Sequence, residues 1–157
     1  MNVVKFIKPI NLFFRIAFIL LILIKSRSVL MLLYAHLNYA DQYIPVAVIL
    51  AGGTLYETLF VFILCIAGFV STFGISRFKE WGRIILVCVF SLSILFNLYV
   101  VCIIFNLQIS GNFDSPVVEL SSAYLKLAWY LILCCVLGAT IFYFTQSNVR
   151  NVFKKST

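Results

Sequence analysis

Four stretches of this chain, residues 9–28, 50–75, 82–105 and 124–145, are apolar almost throughout. At 1.5 Å per residue, roughly 20 such residues cross the hydrocarbon core of a bilayer. A backbone facing lipid must satisfy its own hydrogen bonds, which restricts the spans to helices or a closed barrel. The runs lack the polar alternation of a barrel strand, so they predict helices. Composition points the same way: 64% of the 157 residues are hydrophobic and 11% are charged. Soluble domains average about 45–50% apolar and about 25% charged residues, and a chain this short keeps much of its surface exposed. The expected fold is an all-α, membrane-embedded four-helix bundle forming one integral membrane domain over residues 1–157.

The first span is expected to start near Pro9, a residue suited to a first helical turn, and to end at Lys25 and Arg27. Lys5 and Lys8 followed by Ile10–Ile24 resemble the start of a secretory signal. Lys25-Ser26-Arg27-Ser28 stands where a small-residue cleavage motif would lie, which predicts a retained helix. The stretch Val29–Ile44 carries His36, Asn38, Asp41 and Gln42 with Tyr34, Tyr39 and Tyr43. Tyrosine favours the membrane–water boundary. The stretch reads either as an extracytoplasmic interfacial helix after helix 1 or as a continuation of that helix. The polar segment Asn106–Ser122, with Gly111, Asn112, Asp114 and Pro116, reads as a loop.

The net charge is +7, yet the basic residues cluster at the ends of apolar runs rather than in a soluble patch. That distribution excludes a nucleic-acid-binding surface and instead sets orientation. With the N-terminus inside, Lys5, Lys8, Arg77, Lys79, Arg83, Arg150, Lys154 and Lys155 lie on the cytoplasmic side, against Lys25, Arg27 and Lys126 outside. Eight against three predicts a multi-pass protein of the cell (inner) membrane with both termini cytoplasmic.

Helical rise places Arg15 about 9 Å into the membrane and Glu57 about 27 Å from the cytoplasmic edge, too far apart to pair. Lys25, Arg27 and Lys126 fall near the level of Glu57, predicting an ion pair at the outer rim. Arg15 is the candidate functional intramembrane charge. Its ordinary alternatives are snorkelling to headgroups or hydrogen bonds to Ser91 or Thr140. Asn97 and Tyr99, with Ser91 and Ser93, are expected to hydrogen-bond between helices. Ala67/Ser71, Gly68/Thr72 and Cys134/Gly138 place small residues at i,i+4, a spacing that lets helices approach closely.

Much chemistry is missing. The sequence holds one histidine, His36, which excludes a bis-histidine haem within the chain and the usual multi-histidine zinc site. It has no His-Glu-x-x-His and no phosphate-cradling glycine loop. The five cysteines, Cys65, Cys88, Cys102, Cys134 and Cys135, all lie in apolar runs without a Cys-x-x-Cys pair, as expected of small core residues. No cofactor, metal site or enzymatic activity is therefore expected.

The stretch Gly74-Ile-Ser-Arg-Phe-Lys-Glu-Trp-Gly-Arg83 is the most patterned. It resembles a cytoplasmic turn of small bacterial four-helix membrane proteins, in which a glycine and basic residues precede Trp-Gly-Arg or Trp-Ala-Arg. Phe144-Thr-Gln-Ser-Asn-Val-Arg-Asn-Val-Phe153 is similar to their closing segment, with Asn148 where proline is frequent and Arg150 in place of lysine. The resemblance covers about 30 residues and implies the four-span layout, without an activity. Physically, Trp81 reads as a boundary anchor, Arg77, Lys79 and Arg83 as topogenic charges, and Gly74 as the residue permitting a tight reversal.

These features point to a non-catalytic accessory or interaction subunit acting through its helix faces, a class that includes immunity-type proteins. Its partners would be membrane lipids and another membrane protein or a second copy. The competing reading is an oligomeric channel or small-solute transporter using Glu57 or Arg15.

Overall fold

The computed structural model describes residues 3–38, 54–109 and 120–154, with side chains for 6–37, 54–103 and 127–154. Among these residues four long helices run in order, α1 (Val3–Asn38), α2 (Leu55–Ser76), α3 (Glu80–Ile109) and α4 (Leu120–Thr145), followed by the short α5 (Ser147–Lys154). No strand occurs among the described residues. Segments long and apolar enough to cross a membrane are Phe6–Leu37, Leu55–Ser76, Glu80–Ile103 and Leu127–Thr145. The all-α expectation holds, and the composition is that of a multi-pass membrane protein. The chain divides into two compact units, Met1–Leu86 with Asn151–Thr157 and Val87–Arg150.

In the first unit, α1 is a single helix of 36 residues, about 54 Å long. It continues ten residues beyond the expected end at 28, so the stretch after Arg27 extends helix 1 as far as Asn38. Residues 39–44 lie outside the described residues. Nothing between Lys25 and Asn38 breaks a helix: the Ser26 hydroxyl donates to the Leu23 carbonyl at 2.8 Å and that of Ser28 to Ile24 at 3.4 Å. Pro9 lies inside α1 rather than at its first turn. There it removes one backbone hydrogen bond, an effect that costs about 3 kcal/mol in a helix interior.

Helix α2 begins at Leu55, later than the expected residue 50, because Thr54 caps it. The Thr54 hydroxyl accepts from the Glu57 N–H at 3.3 Å, and the Glu57 carboxylate accepts from the Thr54 N–H at 2.8 Å. This reciprocal capping box satisfies two donors that the helix start would otherwise orphan. At the other end, Lys79 N–H donates to the Gly74 carbonyl at 2.8 Å and Phe78 N–H to Ile75 at 3.0 Å. That pair of bonds is a Schellman closure, which needs a left-handed residue after the cap.

Helices α1 and α2 pack antiparallel. Asn11 contacts Thr72, Phe18 faces Gly68, and Leu32 and Ala35 cluster with Met31 and Leu55. On α1 the seam runs through Ile7, Asn11, Phe18, Val29 and Leu32, all buried. On α2, Thr58, Cys65, Gly68, Thr72 and Ile75 recur at helical spacing and are buried. A Cβ at Gly68 would overlap the Phe18 ring, so glycine is what lets this ring settle on the α2 backbone. Gly74 and Gly82 make a second close approach, with an added Cβ on Gly74 lying 2.6 Å from Gly82 Cα. In α5, Phe153 is fully buried and its ring stands 5.9 Å from that of Phe78.

In the second unit, polar side chains of α3 turn back on their own helix. Ser91 donates to Val87 O at 2.9 Å, Ser93 to Val89 O at 2.8 Å, and the Asn97 amide to Ser93 O at 2.8 Å. These donors were expected to reach neighbouring helices. Bonding to the carbonyl four residues back satisfies them without a partner, an advantage where lipid supplies no acceptor. The segment expected as a loop over 106–122 is helical at both ends, since α3 reaches Ile109 and α4 starts at Leu120. Residues 110–119 lie outside the described residues. Helix α4 is the barest span, with 6% of its most apolar window buried against 39% in α2.

Candidate functional site

The polar cluster nearest to a site is built around Arg15, at the end of the α1–α2 seam. Thr72 and Ser76 stand one turn apart on α2, and each hydroxyl donates to a carbonyl of its own helix, Phe69 at 2.6 Å and Phe73 at 2.8 Å. With their protons directed to the backbone, both oxygens present lone pairs outward. Arg15 Nε donates to Thr72 Oγ1 and Nη2 to Ser76 Oγ, each at 3.4 Å. The guanidinium also lies over the Phe73 ring, 4.5 Å from its centroid, a cation–π placement. The partners are thus on α2 and not Ser91 or Thr140, two of the alternatives that depth allowed; the Thr140 hydroxyl donates to Val136 O at 2.8 Å. Helical depth alone could not choose among serines and threonines at the same level.

Beside Arg15 opens a groove of about 230 Å³, to which Lys8, Asn11 and Ser76 also contribute. Asn11 is 5% exposed and gives its amide N–H to the Thr72 carbonyl at 3.1 Å. No described carboxylate lines the groove. Arg83 forms an ion pair with Glu80, at 3.2 Å.

Glu57 lies four turns along α2 from Thr72, about 22 Å, consistent with its separation from Arg15. Its carboxylate serves the capping box, a role the pattern Thr-x-x-Glu in 54–57 could have signalled. Lys25 is half-buried and Arg27 exposed. Interpolating between the approach of Phe18 to Gly68 and the packing of Leu55 on the Leu32/Ala35 cluster puts Lys25 about 7–8 Å inward of the Glu57 level. The first span extends well past both cations. Lys126 falls in the first two turns of α4, and its side chain lies outside the described residues.

The turn between α2 and α3 differs from expectation in its mechanics. Gly74 is helical, and its lack of a Cβ serves the contact with Gly82. The left-handed residue is Phe78, with φ 53°. A non-glycine there carries strain of roughly 1–2 kcal/mol, offset by packing of its ring on Phe153. Arg77 caps α2. Trp81 is 45% exposed, and Arg83 is buried with Glu80 as its partner. Of the three cations placed in this turn, Arg83 is therefore neutralised locally.

Among the cysteines, Cys65 is buried, Cys134 half-buried, and Cys88, Cys102 and Cys135 exposed. Gly138, of the Cys134/Gly138 pair, has nothing within 4 Å of an added Cβ. No group of three metal-ligating side chains occurs among the described residues. No protein family, curated protein or solved structure matches this chain.

Proposed function

We infer that the protein is a non-catalytic membrane subunit that works by laying apolar helix faces against another membrane protein or a second copy of itself. The observation that carries this reading is the disposition of its intramembrane charges. Arg15 is held by Thr72, Ser76 and Phe73, and Glu57 caps the helix on which it stands. Meanwhile α4 leaves Trp129, Ile132, Val136 and Phe142 more than half exposed. Small residues along the same helix, Cys134 and Gly138, would allow a partner helix to approach closely. An immunity-type protein belongs to this class, since protection of a membrane by occlusion needs no reacting group. The resemblance of the Trp-Gly-Arg turn to small bacterial four-helix membrane proteins fits the same reading. Placement in the inner membrane with both termini cytoplasmic follows from the basic residues.

The competing reading, an oligomeric channel or transporter, makes Glu57 or Arg15 a coupling charge. Reconstituted vesicles separate the two. In the subunit reading, proton or cation flux stays at the level of empty vesicles. Oxidation of membranes carrying Cys135 as the single cysteine yields a cross-linked species. Flux above background that Glu57→Gln abolishes while the fold survives would overturn this proposal.

A further inference from the structure

We propose that the groove at the N-terminal end of α1 is a binding site for the headgroup phosphate of an anionic phospholipid, independently of which protein partner the helices take. Lys8 and Arg15 lie two turns apart on α1 and both line the groove. The Arg15 guanidinium is only partly satisfied. Its two hydrogen bonds are long, at 3.4 Å, and both go to neutral hydroxyls. No described carboxylate lines the groove, and the nearby acid Glu80 is paired with Arg83. Two cations facing one cleft with no counter-ion among the described residues make a place for an anion, and guanidinium presents donors in a fork that matches phosphate geometry.

Position selects a lipid as the source of that anion. The groove lies where α2 ends at Ser76 and the chain turns back into α3 at Glu80, so it falls at the boundary of two candidate spans. Leu12, at the groove, begins an exposed stripe that continues down α1 through Ile16, Ile19 and Leu23. Spaced at four, three and four residues, these side chains line one helix face, a track along which an acyl chain can lie once the phosphate is seated. A free phosphate would use the two cations and leave the stripe unused.

The test uses the full chain purified in a neutral detergent, with lipid retention measured by native mass spectrometry. Phosphatidylglycerol should be retained in preference to phosphatidylcholine of the same chains. Lys8→Gln should weaken retention about fivefold, the effect of one cation near a membrane surface, and Arg15→Gln by at least as much. Arg15→Lys should retain part of the binding. Arg150→Gln, which removes an exposed cation outside the groove lining, should change nothing. Millimolar inorganic phosphate should fail to displace the lipid. Lys8 is exposed, so Lys8→Gln remains decisive where Arg15→Gln does not fold. Equal losses for Lys8→Gln and Arg150→Gln would reduce the effect to net charge and overturn the site. So would unchanged retention in folded Lys8→Gln. Full displacement by inorganic phosphate would overturn the lipid as ligand.

Discussion

The same substitution, glycine to alanine, should have opposite consequences at Gly74 and at Gly138. Both glycines lie inside helices, where alanine is favoured by about 1 kcal/mol, so this gain is common to the two variants. Their surroundings differ. At Gly74 the new methyl would stand 2.6 Å from Gly82 Cα and 2.9 Å from Gly82 N, both backbone atoms that cannot rotate away. At Gly138 it would meet nothing within 4 Å. The difference between the variants is then the overpacking cost alone, about 1–3 kcal/mol. Gly138→Ala should be neutral or slightly stabilising, and Gly74→Ala should fall below it by that margin. Gly68→Ala should lie between them, because the atoms it meets belong to the Phe18 ring, a side chain with some freedom to shift. Reversible unfolding in mixed micelles, followed by the fluorescence of Trp81 and Trp129, measures all three. Equal stability of Gly74→Ala and Gly138→Ala, within about 0.5 kcal/mol, would refute the close approach of the α2 and α3 backbones at Gly74 and Gly82.

Other outcomes follow from the cap, the charges and the thiols. Glu57→Gln should preserve the capping box, because glutamine also accepts from the Thr54 N–H, while Glu57→Ala should destabilise by about 1 kcal/mol in the same unfolding assay. A loss equal for both would point to the carboxylate charge, and hence to a rim pair with Lys25, Arg27 or Lys126. Single cysteines at Ser115 and Ser156 in a cysteine-free background should label from outside intact cells at 115 and not at 156; the reverse pattern would invert the topology. Replacement of all five native cysteines by alanine should leave expression and assembly near wild type, and loss of function in folded protein would restore a thiol chemistry.

The all-α class and four long apolar helices were legible in the sequence because both depend on composition and run length alone. A bilayer imposes the same hydrogen-bonding demand on any such run, whatever it packs against. Helix ends were less legible. The Thr54–Glu57 box is a local pattern that was present in the sequence and overlooked, whereas the passage of α1 beyond Arg27 to Asn38 contradicts the usual reading of a charged pair as a boundary. Partners were decided by tertiary structure. Arg15 could be placed in depth by counting residues, but depth is one coordinate, and several hydroxyls share it. Only the rotation of α1 about its axis, set by Phe18 seated on Gly68, turns Arg15 toward Thr72 and Ser76. The same holds at the reversal, where Gly74 carried the obvious turn signal. The left-handed conformation fell to Phe78, because its ring has Phe153 to pack against, and Gly74 was needed where two backbones meet.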